Sequence, residues 1–161
     1  MIKRNKFMEK INKKDVKKLK IRRATAKDID SIINIQKQDG FTHAYYLTPG
    51  RLKKLFERKE IFFVLLLSNK LVGFTSLDIE KRAIIHFLSV AKDYADMGIG
   101  SFLLEKAIKE AKKHKKDIVY IYTEVNSPVE KFVIKKGFKM VGYFNDRFGK
   151  GRHANILALY I

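Results

Sequence analysis

The 161-residue sequence predicts one mixed α/β domain, in which helices flank a single central sheet. Strand and helix patterns alternate along the chain and give about seven strands and about four helices. One strand–helix–strand step runs through a glycine turn at residues 98–100, and such a step forms a right-handed parallel crossover. Hairpin patterns lie on both sides of that step, so the sheet is expected to mix parallel and antiparallel pairs.

The N-terminal half predicts one strand, two helices and a three-stranded meander. Thr25 and Asp28 have the spacing of a capping box at the start of the first helix, and Gly40 is placed to end it. Pro49 is placed to begin the second helix, where its missing N–H is tolerated. The predicted ranges are strand Leu19–Arg23, helix Arg51–Lys59, and strands Ile61–Leu67, Leu71–Ile79 and Ala83–Val90.

The C-terminal half predicts a long helix, a strand, a short helix and a final hairpin. A polar connection at Ala91–Met97 precedes the glycine turn, and the long helix carries its apolar residues as one stripe. Gly137 is placed to cap the short helix. The predicted ranges are helix Gly98–His114, strand Asp117–Glu124, helix Ser127–Lys136, and strands Phe138–Phe144 and Ala154–Ile161.

The composition excludes several classes of function. The chain has no cysteine, which rules out disulfides, thiolate metal sites and a cysteine nucleophile, and favours a reducing, cytoplasmic setting. The longest apolar run, Ile61–Leu67, has the length of a strand, so no contact with a membrane is expected. No apolar segment follows the basic N-terminus, so a secretory signal is not expected either. We predict no metal site.

Positive charge is concentrated at the N-terminus. The net charge is +18, and nine of the first twenty residues are Lys or Arg. We therefore divide the chain into a basic extension, residues 1–18, and a folded domain, residues 19–161. A solvated tail is the expected state of the extension, and a nucleic-acid contact stays open as the alternative.

A glycine-containing turn is the sharpest local signal. Asp96-Met97-Gly98-Ile99-Gly100-Ser101 follows a strand and opens a helix, where backbone N–H groups can approach a phosphate closely. A plain turn that needs positive φ is the alternative. A P-loop is excluded because its last glycine is followed by Lys and then Ser or Thr, whereas Gly100 is followed by Ser101 and Phe102. A dinucleotide site is disfavoured because Leu103 replaces the third glycine.

Two segments together resemble the GNAT superfamily of N-acetyltransferases. Leu88-Ser89-Val90, a polar loop and Gly98-Ile99-Gly100-Ser101 resemble the acetyl-CoA signature of that family. Asn126, Phe132 and Gly137-Phe138 resemble its second motif, and 28 residues separate Gly98 from Asn126. The resemblance extends from about Leu19 to Ile161 and implies a GNAT-like fold.

The resemblance also implies an acetyl-CoA site between the fourth and fifth strands. The pantetheine arm would pair with the end of the fourth strand, and backbone N–H groups at the helix start would hold the pyrophosphate. Asn126 would orient the cofactor and Phe132 would pack against its thiol end, with core packing as the alternative for Phe132. The implied cofactor-binding residues are Leu88, Ser89, Val90, Met97, Gly98, Ile99, Gly100, Ser101, Asn126 and Phe132.

The chain departs from the family pattern at two places. Ala95 and Asp96 replace a polar or basic residue and a glycine in the loop, and an acidic group beside a pyrophosphate is unfavourable. Val133 replaces the tyrosine that protonates the leaving thiolate in many relatives. Other tyrosines are candidates for that role, with sheet packing as the alternative for each: Tyr120, Tyr122 and Tyr143.

Direct transfer to an amine needs a group that removes a proton. His86 is the first candidate because an imidazole titrates near neutrality, and strand alternation places it on the same face as Leu88. The alternative is a partly buried histidine bonded to a neighbour. Glu124 ends the next strand and is the second candidate, with a salt bridge as its alternative.

We therefore predict an acetyl-CoA-dependent N-acetyltransferase that moves an acetyl group to a primary amine in a ternary complex. His43, Tyr45 and Tyr46 lie between the first two predicted helices and are expected to shape the acceptor pocket, with core filling as the alternative. The alternative is a catalytically weak GNAT-fold binding module with a basic arm that contacts nucleic acid. The identity of the amine, from small molecule to peptide, is left open, and so is a homodimer.

Overall fold

The computed structural model describes residue 15 and residues 17–38 and 47–161. These residues form seven strands and four α-helices, which confirms the predicted fold class. The strands are β1 Leu19–Arg23, β2 Ile61–Leu67, β3 Lys70–Asp78, β4 Ala83–Val90, β5 Ile118–Glu124, β6 Lys139–Phe144 and β7 Ala154–Tyr160. The helices are α1 Ile29–Lys37, α2 Pro49–Glu57, α3 Ile99–Lys113 and α4 Pro128–Lys135.

The seven strands form one mixed sheet in the order β1-β2-β3-β4-β5-β7-β6. β4 and β5 are parallel and are connected through α3, as the predicted crossover requires. Every other neighbouring pair is antiparallel. β6 and β7 form the final hairpin. Its second strand, β7, pairs with β5, and its first strand, β6, forms the edge of the sheet.

The two faces of the sheet carry separate cores. Side chains of β2 alternate between them: Phe62 and Val64 pack with α1 and α2, whereas Ile61 and Phe63 pack in the cluster that contains α3 and α4. A strand whose side chains are buried on both faces has a continuous apolar sequence. The run Ile61–Leu67 therefore belongs to the interior of the sheet.

The start of the domain is fixed by an ion pair. Both terminal nitrogens of Arg22 donate to the carboxylate of Asp28, at 2.8 and 2.9 Å. The backbone N–H of Thr25 donates to the same carboxylate at 2.8 Å, which is the predicted capping contact. The bonds from Arg22 hold the pKa of Asp28 below its ordinary value of 3.8.

Some predicted boundaries shift for local reasons. α2 begins at Pro49, two residues before the predicted start, because the side chain of Thr48 caps it by accepting from Arg51 N–H. It ends before Lys59, whose φ is 64°. Gly40 and the aromatic residues 41–46 lie outside the described residues, and so does most of the basic extension, residues 1–14 and 16.

Candidate functional site

Strands β4 and β5 pair over only part of their length. Their parallel register covers three residue pairs and ends where Ile85 meets Ile121. β4 continues to Val90 alongside β3, and β5 continues to Glu124 alongside β7. The two strands therefore diverge toward their C-terminal ends and leave an opening in the middle of the sheet.

A cavity of about 330 Å³ occupies this opening. Residues of α1 and α2 line it from one face of the sheet, and Val129 of α4 lines it from the other face. Four of the predicted site residues line it as well: His86, Leu88, Ser89 and Glu124. The opening between β4 and β5 therefore reaches from one face of the sheet to the other.

His86 lies in a β-bulge of β4. Phe87 pairs with Ser76 and Ile85 pairs with Leu77, so His86 is the extra residue on its strand. The expectation that His86 and Leu88 share one face is wrong, because the bulge interrupts the alternation. Leu88 packs in the core under α3, whereas His86 turns toward the face that carries α1 and α2.

A buried carboxylate that the sequence analysis did not single out holds the ring of His86. Nδ1 of His86 lies 3.0 Å from Oε1 of Glu60, and the hydroxyl of Ser76 donates to the same oxygen at 2.6 Å. Glu60 immediately precedes β2, which is distant in sequence from His86, so no local pattern pointed to this contact. The neighbour anticipated by the alternative interpretation of His86 is thus present, and it is an acidic group.

Glu124 also has a partner. Its carboxylate accepts two hydrogen bonds from the guanidinium of Arg152, and the bond from Nε is 2.7 Å long. About a quarter of each side chain is exposed, so the pair is shielded from solvent. The salt bridge given as the alternative for Glu124 is therefore present, and it links the end of β5 to the β6–β7 loop.

The turn before α3 contains two left-handed residues and, in the part of the chain that the structure describes, several unpaired backbone N–H groups. Gly98 is left-handed, with φ at 82°, and Asp96 is left-handed and exposed, with φ at 57°. Ser101 N–H donates to the carbonyl of Gly98 at 3.1 Å. Within the described chain, N–H groups of Gly98, Ile99 and Gly100 have no protein acceptor, as is usual in the first turn of a helix. Met97 precedes them and packs against the core.

Phe132 of α4 lies beside the start of α3. A Cβ atom at Gly100 would lie 3.5 Å from the ring of Phe132 and 3.9 Å from Val90. The glycine therefore leaves a gap where α3, α4 and the end of β4 meet. Val133, which stands in the usual tyrosine position, is fully buried in the core cluster that contains α3 and α4.

A second buried carboxylate organises the turn at Asn126. Asn126 is left-handed, with φ at 63°, and its N–H donates to Glu130 at 3.1 Å. Thr123 and Asn155 donate their side chains to the same carboxylate at 3.0 and 2.9 Å. Glu130 thus ties β5, α4 and β7 together beneath the turn. Among these donors to the carboxylate of Glu130, Asn126 is the nearest in sequence, four residues earlier.

Of the three candidate tyrosines, Tyr122 alone lines the cavity. The guanidinium of Arg147 lies 5.3 Å from its ring centre. Tyr120 lies farther down β5 beside Arg82, and Tyr143 is 54% exposed on β6. The predicted acceptor-pocket residues His43, Tyr45 and Tyr46 are outside the described residues.

The described residues contain no cluster of three His, Cys, Asp or Glu side chains able to hold a metal ion. None of the helices in this part of the chain is both long enough and apolar enough to cross a membrane.

Comparison with known sequences gives one family match and several relatives. Residues 26–138 match the model of the acetyltransferase (GNAT) family. The chain is 34% identical over 140 residues to an uncharacterized N-acetyltransferase of Methanocaldococcus jannaschii; the match covers 77% of the chain and 62% of that protein. It is 29% identical over 167 residues to an N-alpha-acetyltransferase of Sulfurisphaera tokodaii, with 94% and 98% covered.

Comparison with solved structures supports the fold. Ard1 from Thermoplasma volcanium superposes with a TM-score of 0.81 at 20% identity, covering 89% of the chain and 98% of Ard1. The structure of yncA from Salmonella typhimurium with its cofactor acetyl-CoA gives 0.72 at 17% identity, with 89% and 94% covered. At these identities the likeness concerns the fold alone.

Proposed function

The chain belongs to the GNAT acetyltransferase family, and from that premise we propose that it transfers an acetyl group from acetyl-CoA directly to a primary amine. The observation that carries the proposal is the divergence of β4 and β5 after Ile85 and Ile121. The opening connects the face that carries α3 and α4 with the face that carries α1 and α2. A cofactor entering from the first face can therefore meet an acceptor entering from the second.

The residues at the opening fit acetyl-CoA. Beyond Ile85 the edge of β4 has no partner on the β5 side, so its backbone groups can pair with the amides of a pantetheine arm. The N–H groups of Gly98, Ile99 and Gly100 are unpaired in the described chain and suit a pyrophosphate. Because the amide of Ser101 is already bonded, its hydroxyl is the group left for the phosphate. Acetyl-CoA, when bound, supplies the acetyl thioester.

Two further residues would position the cofactor. Asn126 presents its side chain from a left-handed turn that Glu130 fixes from below. Phe132 closes the gap beside Gly100, where an apolar part of the cofactor would contact its ring. Both residues sit on the α4 side of the opening, opposite the cavity wall formed by α1 and α2.

His86 is the proposed general base. With Nδ1 bonded to Glu60, its Nε2 is left to accept the proton that the acceptor nitrogen must lose before it attacks a carbonyl carbon. The N–H of Val90 is the proposed donor to the carbonyl oxygen. Tyr122 is the proposed acid for the leaving thiolate, because among Tyr120, Tyr122 and Tyr143 only Tyr122 lines the cavity.

Glu124 is the second proposed catalytic group, with a role in binding the amine. Arg152 already donates to both oxygens of its carboxylate. The carboxylate nevertheless lines the cavity and can attract a cationic amine before deprotonation. We assign proton removal to His86 and acceptor binding to Glu124.

The proposed acceptor is the α-amine of a polypeptide N-terminus. The Sulfurisphaera tokodaii relative, aligned over 94% of this chain, is named an N-alpha-acetyltransferase. Arg51 of α2 and Phe148 of the β6–β7 loop both line the cavity, and we place the entrance for the acceptor between them. An extended peptide can enter there with its first residue inside the cavity.

The test is transfer from labelled acetyl-CoA to a peptide panel, with lysine peptides and polyamines as competing acceptors. We expect mass spectrometry to locate the acetyl group on the peptide α-amine. His86→Ala should lower kcat about 10²- to 10⁴-fold and leave the Kd for acetyl-CoA unchanged. His114→Ala is the matched control, since His114 caps the C-terminus of α3 and does not line the cavity. Absence of acetyl transfer to every acceptor would refute the proposal.

A further inference from the structure

Glu60 is a buried acidic side chain with no Lys or Arg partner among the described residues. Its side chain is 7% exposed, and its one ion-pair contact is with Nδ1 of His86 at 3.0 Å. Ser76 Oγ donates to the same oxygen at 2.6 Å. A carboxylate is expensive to bury unless it is hydrogen-bonded or paired, and this one contacts the side chains of His86 and Ser76.

The backbone around Glu60 is also fixed. Lys59 is left-handed, with φ at 64°, and Glu60 N–H donates to the carbonyl of Leu55 in α2 at 3.2 Å. The next residue, Ile61, begins β2 and is 3% exposed. The backbone of Glu60 is therefore fixed by its bond to Leu55, and its carboxylate is fixed by the bond from Ser76. His86 contacts a carboxylate whose position is already set by these two bonds.

The contact decides which nitrogen of His86 carries the proton. A carboxylate accepts and does not donate, so Nδ1 must bear the hydrogen. Nε2 is then the unprotonated nitrogen and points away from Glu60. When Nε2 takes up a proton, the ring becomes a cation that lies 3.0 Å from the carboxylate of Glu60.

We propose that Glu60 is a positioning residue for catalysis: through Nδ1 of His86 it fixes the ring tautomer and stabilises the imidazolium formed when His86 accepts a proton. This inference rests on the proposed function of the same site. Glu60 itself exchanges no proton with the acceptor in this scheme. Its effect on transfer therefore passes entirely through His86.

The first test measures kcat and KM in two variants of Glu60. Glu60→Gln keeps an oxygen that accepts from Nδ1 but removes the charge, and Glu60→Ala removes both. We expect Glu60→Gln to lower kcat about tenfold to a hundredfold, part of the 10²- to 10⁴-fold that a general base contributes, with the KM for acetyl-CoA unchanged. Glu110→Gln is the matched control, because Glu110 is equally buried and bonded to a cation, Arg23, away from the cavity.

A double-mutant cycle separates a positioning role from a general structural one. If Glu60 acts through His86, Glu60→Gln should cause no further loss of kcat in the His86→Ala background. Losses that multiply would overturn the inference, and so would an unchanged kcat in Glu60→Gln alone.

Nitrogen NMR of the His86 ring tests the inference without catalysis. We expect a protonated Nδ1 and an unprotonated Nε2 in the neutral wild-type ring, and loss of that preference in Glu60→Ala. No preference in the wild type would overturn the inference even if the protein acetylates peptides. The expected tautomer in a protein that acetylates nothing would refute the proposed function and leave the Glu60–His86 contact standing.

Discussion

Replacing Gly73 by alanine tests how closely α3 approaches the sheet. Gly73 lies on β3, and a Cβ atom there would fall 2.9 Å from Cδ1 of Leu103, 3.0 Å from the carbonyl oxygen of Ser89 and 3.2 Å from Cγ2 of Ile99. Leu103 and Ile99 are 0% and 1% exposed. Both side chains belong to one buried core cluster, and the carbonyl belongs to a strand that is paired with β3.

The expected loss follows from two opposing effects. Forcing one extra methyl group into a packed core costs about 1–3 kcal/mol. Replacing a strand glycine by alanine otherwise gains about 0.5–1 kcal/mol through backbone entropy. At the midpoints of these two ranges the net loss is about 1.2 kcal/mol. For a chain of 161 residues, this lowers Tm by about 2–5 °C.

Thermal and urea unfolding measure this loss, with Gly50→Ala as the matched control. A Cβ atom at Gly50 meets nothing within 4 Å, and Gly50 lies in α2. Helix propensity should then raise stability by about 0.5–1 kcal/mol. Because Ile99 lies in the first turn of α3, Gly73→Ala should also weaken acetyl-CoA binding. Equal Tm values for Gly73→Ala and the wild type would refute the packing argument.

Three further outcomes are expected. Glu130→Ala removes the acceptor of three donors, of which the hydroxyl of Thr123 is buried, and should lower the free energy of unfolding by about 1–3 kcal/mol in urea titrations. The pKa of Asp28 is lower in the folded than in the unfolded chain, so its stabilisation is present above the unfolded value and is lost as pH falls through the folded one. The difference in unfolding free energy between wild type and Asp28→Asn should thus be constant from pH 7 to 5 and shrink below about pH 4. Arg152→Ala leaves Glu124 without its cation and should alter the KM for the acceptor while the Kd for acetyl-CoA stays constant, as steady-state kinetics and calorimetry can show.

Local patterns were sufficient for most of the fold. The strands Leu19–Arg23, Ile61–Leu67 and Ala83–Val90 were predicted with the bounds that the structure has, because each is an apolar or alternating run between clear turn signals. Capping chemistry decided the remaining bounds. Thr48, whose hydroxyl caps α2, moves that helix two residues toward the N-terminus, and this signal was present in the sequence.

The partners of the site residues could not be predicted in the same way. Glu60 contacts His86 across 26 positions of sequence, and Arg152 contacts Glu124 across 28. Such contacts depend on which strands are neighbours and in what register, which no short window of sequence contains. Gly73 is different, because a glycine inside a strand pattern often marks a close approach of another backbone. The position of Gly73 inside the β3 pattern is therefore a local signal for its close contact with Leu103, Ser89 and Ile99.

The bulge in β4 explains why two features of the site occur at the same place. The pairing of β4 with β5 ends at Ile85, and the bulged residue is the next one, His86. A bulge bends its strand and increases the local twist, so the same extra residue that directs β4 away from β5 also turns the imidazole toward Glu60. Strand alternation alone would have predicted neither effect. The opening proposed to seat the cofactor and the position of the ring proposed as the base thus both follow from a single irregularity in the register of β3 and β4.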